Sequence, residues 1–113
     1  MKMIQAIIRN EKLGEVKAAL DAIKCHGVMT WEILGHGKQK GVTEQFRGRE
    51  FKVDLLPKTK IEIVAHDAQV EGIVDAIIKS ANTHTIGDGK IFILPIENAI
   101  RIRTGENGDI AVD

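Results

Sequence analysis

Lys60-Ile61-Glu62-Ile63-Val64-Ala65, followed by His66-Asp67-Ala68-Gln69-Val70-Glu71-Gly72-Ile73-Val74-Asp75-Ala76-Ile77-Ile78, contains the change of period that decides the fold. The first six residues are rich in β-branched side chains and read as a strand. From Val70 onward, Ile73, Val74, Ile77, Ile78 and Ala81 recur at helical spacing and make one apolar stripe. Asp67 is the candidate cap of that helix. Beyond it come a glycine-bearing loop, Thr85-Ile86-Gly87-Asp88-Gly89, and an apolar strand over residues 90–94. One β-α-β unit is complete.

A second unit of the same layout lies upstream. Met3-Ile4-Gln5-Ala6-Ile7-Ile8 reads as a strand, and Asn10 is placed to cap a helix with Glu11 in its first turn. Leu13, Val16, Leu20 and Ile23 keep helical spacing, Gly27 is the expected stop, and residues 28–34 form a strand that ends at Gly35. Two units in tandem give β-α-β-β-α-β, an α+β chain of ferredoxin-like arrangement. In that arrangement the helices cover one sheet face only, yet Ile91-Phe92-Ile93-Leu94 is apolar on both faces. Strands of this kind need cover on both sides, so a closed homo-oligomer is expected.

Length and composition set the outer bounds. The 113 residues suffice for one domain with one core. No apolar run approaches the roughly 20 residues of a spanning helix, and the N-terminus lacks a secretory layout, so a cytoplasmic protein is expected. The single cysteine, Cys25, fits a reducing compartment. Sixteen basic residues balance sixteen acidic ones, which argues against a general nucleic-acid binder. Any anion site must come from local clustering. Residues 37–54 show no sustained period and carry Lys38, Lys40, Arg47, Arg49 and Lys52 with Phe46 and Phe51. A loop this long in a compact domain is usually functional, and its composition suits docking on a partner.

Three clusters join glycine to fixed positive charge: residues 35–41, residues 87–90, and Arg101-Ile102-Arg103-Thr104-Gly105. Glycine lets backbone N–H groups approach an anion, and lysine or arginine neutralises it. Together they suggest a polyphosphate ligand, although each alone reads as a turn with solvated charges. No Walker A spacing occurs, and Lys40 stands where a GxGxxG pattern needs its third glycine. His26, His36, His66 and His84 show no metal-ligand spacing, and Ser80 has no triad around it.

Read together, the clusters resemble the PII nitrogen signal-transduction family. The likeness is carried by Ile86-Gly87-Asp88-Gly89-Lys90-Ile91-Phe92, Gln39-Lys40-Gly41, Arg47-Gly48, Val53-Asp54-Leu55-Leu56-Pro57-Lys58 and Arg101-Ile102-Arg103-Thr104-Gly105, and it extends over the whole chain. The resemblance implies a single domain over 1–113 with an effector loop at 37–54, a nucleotide loop at 82–89 and a C-terminal segment at 101–113. It implies a homotrimer with ATP or ADP in the clefts between subunits. Gly87, Asp88, Gly89 and Lys90 would hold phosphates or ribose, and Arg101 and Arg103 would reach in from the neighbour. Ile7, Gly35, Gly37, Lys38, Gln39 and Val64 would line the rest, with Met29 and Thr83 close by. Gln39 would help hold Mg²⁺. For 2-oxoglutarate the resemblance implies Lys58 on the distal carboxylate, with Gly37, Gln39, Lys40, Gly41 and Gly87 completing the pocket.

The same resemblance implies a non-catalytic regulator whose loop, through Arg47, Arg49 and Phe51, meets an ammonium transporter, or else glutamine synthetase or nitrogenase. It implies no nucleic-acid partner, and contact with a membrane only through the transporter. Phe51 stands at the position where many relatives carry a modified tyrosine, and Arg49 where some carry a phosphorylated serine, so signalling by ligand binding alone is expected. Lys38, Met29 and His84 also depart from the usual arginine, threonine and glycine. The alternative reading is a small ATP-hydrolysing or phosphoryl-transfer enzyme on the same fold.

Overall fold

The computed structural model describes residues 1–36, 42–46, 49–53 and 55–113, and for 42–53 it describes the backbone alone. Strand β1 (Lys2–Arg9) runs into a short 3₁₀ turn and helix α1 (Leu13–Ala22), and β2 (Val28–Gly35) follows. After the short strands β3 (Val42–Phe46) and β4 (Arg49–Val53) come β5 (Leu56–Ala65), α2 (Asp67–Ala81) and β6 (Lys90–Pro95). Four strands form one sheet in the order β2-β5-β1-β6, every neighbour antiparallel. This is the ferredoxin-like order that two β-α-β units produce when the second interleaves with the first.

The period of 2 along the central strands decides which face is buried. Ile4, Ala6 and Ile8 of β1 and Ile61, Ile63 and Ala65 of β5 point at the helices, where Val16, Leu20, Ile73, Ile77 and Ala81 meet them. All eleven are buried, and each fully buried large aliphatic contributes about 1.5–3 kcal/mol of transfer free energy. The stripe on α2 is wider than the contact it makes. Ile73, Ile77 and Ala81 lie at its centre, while Ile78 at its margin is left exposed beside β6.

Three end signals act differently from the reading of the sequence. Asn10 does not cap α1: its Oδ1 accepts a hydrogen bond from the Thr59 hydroxyl at 2.7 Å, and Lys12 occupies the cap position. Gly27 does not stop that helix either. The helix ends at Ala22, Lys24 takes φ +62°, and the Cys25 N–H closes onto the Leu20 carbonyl at 2.9 Å. This is a Schellman-type end with lysine in the left-handed position. Asp67 is the first helical residue of α2 and not its cap. His66 caps, its N–H donating to Gln69 Oε1 at 3.1 Å, while Asp67 pairs with the Met1 ammonium at 2.9 Å.

The third main strand begins at Leu56, four residues before the expected Lys60. Pro57 hides that start in the sequence, since proline cannot donate to a ladder. It is accommodated because β1 pairs with β5 only as far as Lys58, so at Pro57 the strand has β2 alone as neighbour. The stretch expected to be without regular structure contains β3 and β4, which pair with one another as a separate two-stranded sheet. Runs of five residues carry too few repeats to show a period, so the excursion between β2 and β5 read as a plain loop. Among the described residues, no helix is long and apolar enough to cross a membrane.

Candidate functional site

The register brings four strand ends to one end of the sheet. Arg9 faces Lys58, Ile7 faces Lys90, and Gly35 faces Leu56. The loop between α2 and β6 folds over this end. Together they border a cleft of about 450 Å³ lined by Ile7, Gly35, His36, Lys58, Gly87 and Lys90. Leu56, Ile86, Gly89 and Phe92 complete its wall.

The loop owes its shape to two glycines and one carboxylate. Gly87 and Gly89 have φ of +104° and +105°, which L side chains rarely adopt. At Gly89 an added Cβ would sit 1.6 Å from the carbonyl oxygen of Ile7, so loop and strand touch backbone to backbone. The Asp88 carboxylate turns inward. Oδ2 accepts the Thr83 N–H at 2.7 Å, and Oδ1 accepts the Thr83 hydroxyl and the Arg9 Nε–H, the latter at 3.0 Å. Arg9 also donates through Nη2 to the Thr85 hydroxyl at 3.0 Å and to the Ile86 carbonyl at 2.9 Å. The Thr83 hydroxyl, then the backbone N–H and Arg9, hold the Asp88 carboxyl well below the usual carboxylate range against the opposing effect of burial.

Lys58 closes the cleft from the sheet side, its Nζ donating to the Gly87 carbonyl at 2.8 Å. Desolvation, and then the neighbouring Arg9 guanidinium, lower its pKa from the ordinary lysine value. With Arg9 paired to Asp88, Lys58 and Lys90 make the described lining of the cleft electropositive in a chain of zero formal charge. An anion entering the cleft meets a ready-made counter-charge.

Of the residues singled out from sequence, Ile7, Gly35, Lys58, Gly87, Gly89 and Lys90 meet in this cleft. Thr83 and Asp88 stand behind it, inside the loop's own hydrogen-bond net. Met29 and Val64 lie on the sheet face away from the helices, Met29 opposite Glu62 and Val64 opposite Met3, and neither lines the cleft. Arg101 and Arg103 belong to the C-terminal turn. Arg101 Nη1 donates to Glu106 at 2.8 Å and Nη2 to the carbonyls of Ile110 and Asp113, while Arg103 is exposed. Gly37, Lys38, Gln39, Lys40, Gly41 and Arg47 lie outside the described residues. Arg49 and Phe51 are placed by backbone register only, opposite Phe46 and Glu44.

Sequence reasoning missed Arg9 altogether, while His36, Leu56, Ile86 and Phe92 stood inside the quoted motifs but were given no place in the site. Arg9 gives no local signal: it ends a strand, and its partners are 76 to 79 residues away. Among the described residues there is no group of three or more His, Cys, Asp or Glu side chains able to hold a metal ion.

Residues 1–106 match the family model described as nitrogen regulatory protein P-II. The chain belongs to the P-II family. A P-II relative from Methanothermobacter thermautotrophicus, named nitrogen regulatory protein P-II 2, is 58% identical over 112 residues, which cover 99% of this chain and 97% of that protein. Nitrogen regulatory proteins P-II from Cereibacter sphaeroides and Nostoc punctiforme are 55% and 54% identical, each over 99% of this chain and all of the relative. The P-II assignment makes this chain a nitrogen signalling regulator, related throughout its length to proteins named for regulation.

Proposed function

We propose that this P-II chain is a non-catalytic cytoplasmic sensor that binds ATP or ADP and, when Mg-ATP is present, 2-oxoglutarate. The observation that carries the reading is the convergence on one cleft of Lys90 and the glycine pair 87 and 89, suited to a polyphosphate, with Lys58, suited to a carboxylate. Positive charge beside a tight glycine backbone is what a polyphosphate requires. Gln39 and the nucleotide phosphates would hold Mg²⁺, a hard cation that takes oxygen ligands and few protein groups. The described donor set suits that division, since the cleft offers cations and backbone and no carboxylate cluster. Bound there, the metal would offer open positions to the keto and near carboxylate oxygens of 2-oxoglutarate. Lys58 would take the far carboxylate. ADP lacks the γ-phosphate, so nucleotide and dicarboxylate are coupled, and the coupling is reciprocal.

Output runs through residues 37–54, with Arg47, Arg49 and Phe51 the contacts for a partner. An ammonium transporter is the first partner to try, with glutamine synthetase and nitrogenase next. The hydrolytic alternative is disfavoured by Asp88: the carboxylate of the phosphate loop is held strongly acidic by Thr83 and Arg9, which makes it a poor proton acceptor.

Calorimetric titration tests the sensor reading. 2-Oxoglutarate is expected to give heat only after Mg-ATP has been added, and none in ADP. Absence of binding by either nucleotide at millimolar concentration, on the order of cellular levels, would refute it.

The other sheet face supports a homo-oligomer, and the resemblance to the family makes a homotrimer the form to test. Met29, Trp31, Phe92 and Leu94 are exposed there, and Lys60 Nζ sits 4.7 Å above the Trp31 ring while pairing with Glu62 at 3.1 Å. A second copy of the chain is the natural cover, and it would carry Arg101 and Arg103 to the cleft. Leu94→Glu is expected to break the assembly, because a desolvated unpaired carboxylate carries a penalty of several kcal/mol. Sedimentation equilibrium reads the outcome, and an unchanged trimer would count against this face as the interface.

A further inference from the structure

The loop between α2 and β6 is held by one side chain that does not belong to it. Arg9, at the end of β1, reaches three points of the loop with one guanidinium: the Asp88 carboxylate at 3.0 Å, the Thr85 hydroxyl at 3.0 Å and the Ile86 carbonyl at 2.9 Å. Asp88 passes the constraint on to Thr83 through the N–H at 2.7 Å and through the hydroxyl. Residues on both sides of Gly87 are therefore pinned to the same strand whose Ile7 carbonyl touches Gly89. The Arg9–Asp88 pair is also sheltered, with side-chain exposures of 15% and 20%, so water competes weakly for the bond between them.

We propose that Arg9 is the positioning residue of the nucleotide site, fixing the left-handed backbone of the phosphate loop before any ligand arrives. The inference rests on the nucleotide-binding reading and names the group that preorganises it. Arg9 acts through the loop: its Nε and Nη2 donors are spent on Asp88, Thr85 and Ile86. Arginine suits the task because a planar fork serves several fixed acceptors at once, whereas a lysine ammonium at the same place is a point charge on a flexible stem. Preorganisation raises affinity by removing an ordering penalty from the binding step. Lys58, the cross-strand neighbour of Arg9, adds a fourth tether at the Gly87 carbonyl.

Three variants of the full chain decide the matter: Arg9→Met, Arg9→Lys, and Arg9→Met combined with Asp88→Asn. ADP affinity is read by calorimetry at 25 °C, thermal midpoint separately, and amide exchange of residues 85–89 without ligand. Arg9→Met is expected to weaken ADP binding about 10- to 100-fold, the range for losing charge-assisted hydrogen bonds, and to remove loop protection in the unliganded protein. Arg9→Lys should recover only part of both. Adding Asp88→Asn should weaken binding by less than about twofold more, because partners in one network are not additive.

Full recovery by Arg9→Lys would overturn the proposal in favour of simple long-range charge. A lowered thermal midpoint with ADP affinity unchanged would overturn it in favour of a structural brace. If the unaltered protein binds no adenine nucleotide, the nucleotide reading falls, while the amide-exchange comparison still decides whether Arg9 orders the loop.

Discussion

Gly89→Ala is expected to abolish the proposed nucleotide binding and to lower the thermal midpoint by at least about 10 °C, the shift expected for a loss of two or more kcal/mol in a domain of this size. The added Cβ would stand 1.6 Å from the Ile7 carbonyl oxygen and 2.7 Å from its carbon. Both are backbone atoms, so no side chain can swing away. The residue also has φ +105°, a conformation that alanine adopts only under strain of about 1–3 kcal/mol. To relieve the contact, either the loop lifts from β1 or β1 shifts. The second would drag Ile8 and Ala6, which are buried at 2% and 0% exposure. The loop should give way first, taking Gly87, Asp88 and Lys90 out of register with Lys58. Scanning calorimetry with and without ADP measures both effects. A variant with normal stability and normal affinity would show that loop and strand do not touch as described.

Lys58→Met separates the two ligands. Mg-ATP-dependent 2-oxoglutarate binding should fall at least about 30-fold, because a partly desolvated carboxylate loses its charge-assisted partner. ADP affinity should fall by no more than about tenfold, since the bond to the Gly87 carbonyl is one of four tethers on the loop and a hydrogen bond from a charged donor is worth about 1.5 kcal/mol at the low end. Methionine keeps the stem that runs beside Gly35, where an added Cβ would sit 3.5 Å from Lys58 Cγ. An unchanged 2-oxoglutarate isotherm would remove Lys58 from the site. A collapse of ADP binding as well would mean that Lys58 mainly shapes the loop.

The elements were legible wherever their period was long. The stripe on α2 and the β-branched runs of β1 and β5 showed the order of elements, because a long helical stripe repeats its period several times and a β-branched run marks a strand without needing one. Helix ends were less legible. Asn10, Gly27 and Asp67 are the right residue types for caps and stops, but tertiary contacts took two of them, Thr59 claiming Asn10 and the Met1 ammonium claiming Asp67. In the site, Lys90 and the 87–89 turn could be found from the chain itself, where glycine and charge are adjacent, whereas Lys58 was reached only through the family resemblance. Arg9 could not, since its chemistry arises only when a strand end and a loop more than 75 residues apart are brought together.

Met1 and Asp113 are held by consecutive residues: the terminal ammonium by Asp67 at 2.9 Å, and the Asp113 carboxylate by His66 at 2.5 Å. Residues 1 and 113 thus meet at the start of one helix, within the span of a short peptide bridge. Such proximity is the geometric condition for circular permutation. A rearranged gene that splices residue 113 to residue 1 and starts elsewhere would leave the sheet order untouched, apart from the terminal charge that Asp67 now neutralises.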